Sequence, residues 1–186
     1  MQASKISSMA SAALGAAFLL ALTAGATARD SSSPHDELAS WAGHWRTQID
    51  TLETRFGHAR TDRYDGKCSF LPHGTFMVCE FLSLQTDPDS GRILNDVTLI
   101  YYSDVDKTFK YTNVAPEGGP SETVIHVDGN VWTRPYKIRE RSGGVLDARQ
   151  IWIYVSPDKR VARLEISTDK GAHWTVVNVS VGTKVR

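Results

Sequence analysis

The clearest pattern in the chain lies between Tyr64 and Leu82. Tyr64, Cys68 and Phe70 fall on alternate positions of one arm, and Met77, Cys79 and Phe81 do so on the next. Asp65, Lys67, Ser69 and Glu80 occupy positions between them, diluted by Leu71, Phe76, Val78 and Leu82. A period of two marks strands with one face toward a core. Pro72-His73-Gly74-Thr75 separates the arms and predicts a hairpin. If Leu71 pairs with Phe76, Cys68 falls opposite Cys79 and Lys67 opposite Glu80. The sulfurs can then bridge, and the charges form a cross-strand pair. A slip of one residue breaks the whole set.

The same reading extends along the chain. Pairing Ser103 with Thr108 puts Ile100, Tyr102, Phe109 and Tyr111 on one face. A two-residue Asp128-Gly129 turn pairs Val127 with Asn130. Ile125 then opposes Trp132, Thr123 opposes Arg134, and Tyr136 and Ile138 continue that face. The run Ile151 to Val155 is apolar on both sides and cannot be oriented. Further turn signals recur at Phe56-Gly57, Asp87 to Gly91, Asp104 to Asp106 and Pro116 to Pro120. Others are Ser142 to Gly144, Pro157-Asp158 and Asp169 to Gly171. Together they predict an all-β chain of about ten strands. So many sequential hairpins suit a closed antiparallel up-and-down barrel, with a sandwich as the alternative. The one convincing helix is short, from Pro34 to about Ala42. It is capped by Ser33 with Asp36 and ended by Gly43.

The first 28 residues are expected to lie outside the fold. Lys5, an apolar run from Ala10 to Leu22 and Ala26-Thr27-Ala28 form the pattern of a secretory signal peptide. Residues 29–33 read as a flexible leader, and 34–186 as the barrel domain. Cleavage after Ala28 places the mature chain in the periplasm or outside the cell. There, two cysteines most simply form one disulfide. The mature chain has no second apolar stretch of spanning length, so stable membrane insertion is not expected. Twenty-one basic residues balance 21 acidic ones, leaving no electrostatic footprint for nucleic acid.

A ten-stranded barrel is wide enough that its own side chains need not fill it. The candidate lining is Phe70, Met77, Phe81, Ile100, Tyr102, Phe109, Tyr111, Ile125, Trp132, Arg134 and Tyr136. The same pattern describes a plain core or a pocket for a small, mostly apolar molecule. An inward Arg134 needs a partner, either an internal carboxylate such as Asp96 or an anionic ligand group. Two other readings stay open. One is an enzyme using Arg134 with a carboxylate. The other is an interaction module docking a partner on Leu71, Phe76, Val78 and Leu82. No catalytic motif is present, and none of the six histidines stands at metal-ligand spacing. Ser167 to Trp174 matches an Asp-box, a hairpin turn in which Asp169 bonds the backbone, Gly171 takes a positive φ and Trp174 packs beneath. A single copy in so short a chain is a structural turn.

Trp41-Ala42-Gly43-His44-Trp45, after a short helix, is similar to the G-x-W opening of lipocalin-like (calycin) barrels. Cys68 and Cys79 around a glycine turn, the Ser167-to-Trp174 turn, and a basic end at Lys184 and Arg186 resemble the bacterial domain-of-unknown-function 1579 family. The resemblance covers about Leu38 to Arg186. It implies a closed antiparallel barrel, exported in many members, with no established activity. By the lipocalin pattern it also implies that Trp45 packs under Lys184 or Arg186. Related nitrobindin-like barrels bind haem through a late-strand histidine. Thr175 to Val181 holds none, so neither haem nor another cofactor is expected.

Overall fold

The computed structural model describes residues 33–87, 91–114, 121–140 and 143–186. The expected signal peptide, most of the leader and the turn at Pro116 to Pro120 lie outside the described residues, as do parts of the turns around Pro88 and Ser142. The described residues form ten strands: β1 (Gly43–Thr51), β2 (Arg60–Phe70), β3 (Phe76–Thr86), β4 (Ile93–Ser103) and β5 (Thr108–Val114), then β6 (Ser121–Asp128), β7 (Val131–Arg139), β8 (Val145–Ser156), β9 (Lys159–Ser167) and β10 (Thr175–Lys184). Each pairs antiparallel with the next, and β1 also pairs with β10, closing the ring. Closure removes the unpaired edges that a sandwich would leave.

The β2–β3 hairpin has the register that the alternation requires. Cys68 faces Cys79, Lys67 faces Glu80, and the Leu71 N–H donates to the Phe76 carbonyl at 2.8 Å. Cys68 and Cys79 form a disulfide with Cα atoms 4.0 Å apart, the close spacing of a non-hydrogen-bonded pair. His73 and Gly74, with φ of 87° and 72°, make the reversal. Ser103 faces Thr108 in β4–β5.

The β6–β7 register differs from the expected one. Asp128 pairs with Val131 and Val127 with Trp132, so the two loop residues are Gly129 and Asn130. Gly129 takes φ 57°, which suits the first central position of a hairpin turn. Asn130 Nδ2 donates to the Tyr154 carbonyl (2.9 Å) and its own carbonyl accepts from Tyr154 N–H (3.0 Å). These bonds hold the turn one residue beyond its expected place. The pairing moves by two, so the same residues stay on the inner face.

Helix α1 is also shorter than expected, Pro34–Leu38, with the Ser33–Asp36 capping box in place. The chain then tightens into i→i+3 bonds, Trp41 N–H to Leu38 (3.0 Å) and Ala42 N–H to Ala39 (3.2 Å). This turn drives Leu38 and Trp41 into one end of the barrel, where they are 0% and 1% exposed. They join a core cluster with Trp45, Cys68, Met77, Cys79, Ile100, Ile125 and Trp132. A second, smaller cluster of Leu146, Ile166 and Val177, with Phe56 packed against it, forms separately on strands β8 to β10.

Candidate ligand site in the barrel interior

Residues facing each other across antiparallel ladders share one side of the sheet. The inner side therefore runs through Trp45, Gly66, Phe81 and Asp96, then Cys68, Cys79, Thr98 and Asn113. It continues through Phe70, Met77, Ile100, Tyr111 and Thr123, and through Trp132 facing Trp152 and Arg134 facing Gln150. Every lining residue expected from sequence is on this side.

They divide into two groups. Met77, Ile100, Phe109, Tyr111, Ile125 and Trp132 are buried in the cluster plugged by α1, with Phe70 and Tyr102 packed against them. There Trp41 meets Trp132, Trp152 and Tyr154 edge-on at 5.7, 5.1 and 6.2 Å between ring centroids. These side chains are core. Deeper along the barrel, Tyr64, Phe81, Asp96, Asn113, Arg134, Tyr136, Gln150 and Trp152 point inward yet remain partly exposed. Solvent therefore reaches the inner face of a fully paired ring at this level.

Arg134 sits in this middle layer. Its guanidinium carbon lies 4.1 Å from the Tyr111 ring centroid, 4.3 Å from Tyr136 and 5.8 Å from Trp152. The expected ion pair with Asp96 does not form: among the described residues no carboxylate lies within bonding range of Arg134, and aromatic faces hold the cation instead. Its Nε is buried without an acceptor, and Asp96 Oδ1 and Thr123 Oγ1 are likewise buried and unpartnered. A chain of polar groups runs through Asn113, Thr98 and Tyr111 on the same inner side. Thr98 Oγ1 donates to Tyr111 Oη at 3.1 Å, and Asn113 Nδ2 donates to Thr98 Oγ1 at 3.3 Å. Burial pushes the Asp96 carboxyl above the usual carboxylate range, opposed by Asn113 and the charge of Arg134. Burial also pushes the Tyr136 hydroxyl up, again opposed by Arg134.

Trp152 was not readable from sequence, because its strand is apolar on both sides. Its ladder partner Trp132 identifies its face. Arg160 on β9 is a second inward arginine that the sequence reading missed. It lies over Trp45 at 4.5 Å and Trp41 at 5.2 Å, and Lys184 lies 5.1 Å from Trp45. Gly182 makes room for it, since a Cβ there would stand 3.0 Å from Arg160 Nε. Arg186, the other cation expected on Trp45, instead pairs with Asp158 at 2.8 Å. Gly43, with φ 123°, starts β1 against the Lys184 side chain.

The Asp-box turn is built as expected. Asp169 Oδ1 accepts from Ser167 Oγ and His173 N–H, both at 2.8 Å. Gly171 takes φ 89° and packs on Trp174, whose ring carries Arg149 at 4.1 Å. The turn lies on the outer surface, away from Arg134. Among the described residues no group of three or more His, Cys, Asp or Glu side chains is placed to hold a metal ion.

Two solved structures share this architecture. Rv2717c from M. tuberculosis superposes with a TM-score of 0.55 at 12% identity, over 84% of this chain and 100% of that one. The S-type phycobiliprotein lyase CPES from Guillardia theta gives a TM-score of 0.52 at 13% identity, over 81% of this chain and 92% of that one. The fold is a lipocalin-like barrel. At these identities the likeness is one of fold. No protein-family model and no curated protein matches the sequence.

Proposed function

We propose that this chain is an exported member of the domain-of-unknown-function 1579 group that binds a small, mostly apolar molecule inside the barrel. One observation carries the reading. Tyr64, Phe81, Tyr136 and Trp152 face inward and stay partly exposed although every strand is paired. The chain thus leaves aromatic surface uncovered in its own interior, the chemistry that small-molecule sites use. Likeness to a phycobiliprotein lyase is compatible with it. Export rests on the signal-peptide pattern before Arg29.

Native mass spectrometry of the mature protein, with titration of Nile red as a neutral apolar probe, tests the reading. A co-purified mass or saturable probe fluorescence quenched by Trp152→Phe is expected. A bare mass together with no saturable probe binding would overturn it. The enzyme alternative keeps its motivation, because the interior polar groups are neither all satisfied nor all unperturbed.

A further inference from the structure

We propose that the interior site is selective for small monocarboxylic acids, with the ligand carboxylate on the edge of the Arg134 guanidinium and the apolar body against Phe81 and Trp152. This rests on the interior being a ligand site and adds its ligand class. Tyr111 and Tyr136 rings lie 4.1 and 4.3 Å from the guanidinium carbon. The rings pack against the guanidinium, and its Nε–H is the donor it can still offer. Nε is closed to solvent and has no acceptor, and an unpaired buried donor on a charged group is costly.

The arginines of β8 and β9 have other surroundings. Arg149 and Arg163 both reach Glu165; Arg160, like Arg134, keeps a buried N–H without an acceptor, but it is packed on Trp41 and Trp45 in the cluster plugged by α1. Arg134 packs on rings and reaches the Tyr136 hydroxyl, while its Nε stays without an acceptor. The unpartnered Thr123 hydroxyl lies on the residue facing Tyr111 in the ladder, on the same inner side, where it can donate to an incoming oxygen. A guanidinium edge matches a carboxylate with two parallel bonds. Charge favours a ligand with one negative charge: among the described residues Arg134 is the cation packed on Tyr111 and Tyr136, and the Asp96 carboxyl stands near it. A dianionic phosphate would meet too little positive charge in a partly desolvated space.

The test compares 2-naphthoate with its neutral isostere 2-naphthamide by calorimetry on the mature protein, with Trp fluorescence as a second readout. Wild type is expected to bind the carboxylate about tenfold or more tightly than the amide. Arg134→Met is expected to abolish that preference while keeping the amide within about threefold of wild type. Thr123→Val, which leaves the cation in place, is expected to narrow the preference. Equal affinities in wild type overturn the assignment without any variant, and so does a preference that survives Arg134→Met. In either case Nile red binding still upholds the pocket. If neither naphthalene probe nor Nile red binds, the pocket reading falls and takes this assignment with it.

Discussion

Replacing both cysteines, Cys68→Ala with Cys79→Ala, measures how much the sulfur bridge adds to a hairpin already in register. The bridge joins residues separated by 11 in sequence. On the chain-entropy relation, closing a loop of that size removes about 9 cal/mol/K from the unfolded ensemble, or about 2.8 kcal/mol at room temperature. Cys68 and Cys79 are 4% and 0% exposed within the main cluster. Losing each buried sulfur therefore adds about 0.5–1 kcal/mol. The ladder itself survives, since the Leu71–Phe76 bond and the Lys67–Glu80 pairing do not depend on the bridge. The expected result is a folded barrel that is about 3–5 kcal/mol less stable. Urea unfolding of the mature chain should show a lower midpoint and a steeper slope, because the uncrosslinked unfolded chain exposes more surface. A loss under about 1 kcal/mol with an unchanged slope would refute the reasoning.

Three further perturbations address the interior and the outer turn. Gly66→Ala places a Cβ 2.7 Å from Phe81 Cδ1; the ring must swing into the middle layer, lowering stability by about 1–2 kcal/mol and weakening Nile red binding in a fluorescence titration. Asp96→Asn should raise the melting temperature at neutral pH. The folded carboxyl titrates above its unfolded value because of burial, so the advantage should grow as pH rises from the ordinary carboxylate range and vanish in acid, where both side chains are neutral; an advantage confined to acid would contradict this. Asp169→Ala should lower the melting temperature across neutral pH. Hydrogen bonds from His173 and Ser167 hold that carboxylate far below its usual range, so its contribution is present above the unfolded value and lost only in strong acid.

What was legible in the sequence is what local chemistry decides. The β2–β3 hairpin has a turn that only a few residues can make, flanked by strict alternation, so one register satisfies charge, sulfur and apolar pairing together. The β6–β7 turn carries Asp128, Gly129 and Asn130, and composition alone leaves two registers open. Asn130 bonds to Tyr154, 24 residues on, and that tertiary contact selects between them. The Ile151 to Val155 run was unreadable for a related reason. Ile151 faces outward between Thr133 and Arg163 in the ladder yet is 8% exposed, so polarity does not mark the outside there. Arg160 was missed because Lys159-Arg160-Val161-Ala162-Arg163 reads as a solvated strand. Only the indoles of Trp41 and Trp45, from the other end of the chain, give it an apolar bed.

The middle layer shows a division of labour that the Arg134→Met variant makes measurable. Arg134 lies against Tyr111, a member of the main apolar cluster, and near Trp152, which packs on it. The residue gains cation–π contacts with Tyr111 and Tyr136, worth about 0.5–2 kcal/mol each, and a hydrogen bond with the Tyr136 hydroxyl. Against this stand an unpaired buried donor, about 1–3 kcal/mol, the partial desolvation of a charge, and up to about 2 kcal/mol of side-chain entropy. The opposing terms match or exceed the gain. Methionine fills much of the same space beside Tyr111 and Tyr136, and its sulfur recovers part of the aromatic contact. Arg134→Met is therefore expected to melt at or above the wild-type temperature in the absence of ligand. That outcome would fit a cation whose role is to hold something that enters the barrel. A loss of about 2 kcal/mol or more in urea unfolding would show instead that the ring contacts hold the barrel together, and the case for Arg134 as a ligand anchor would lose its energetic footing.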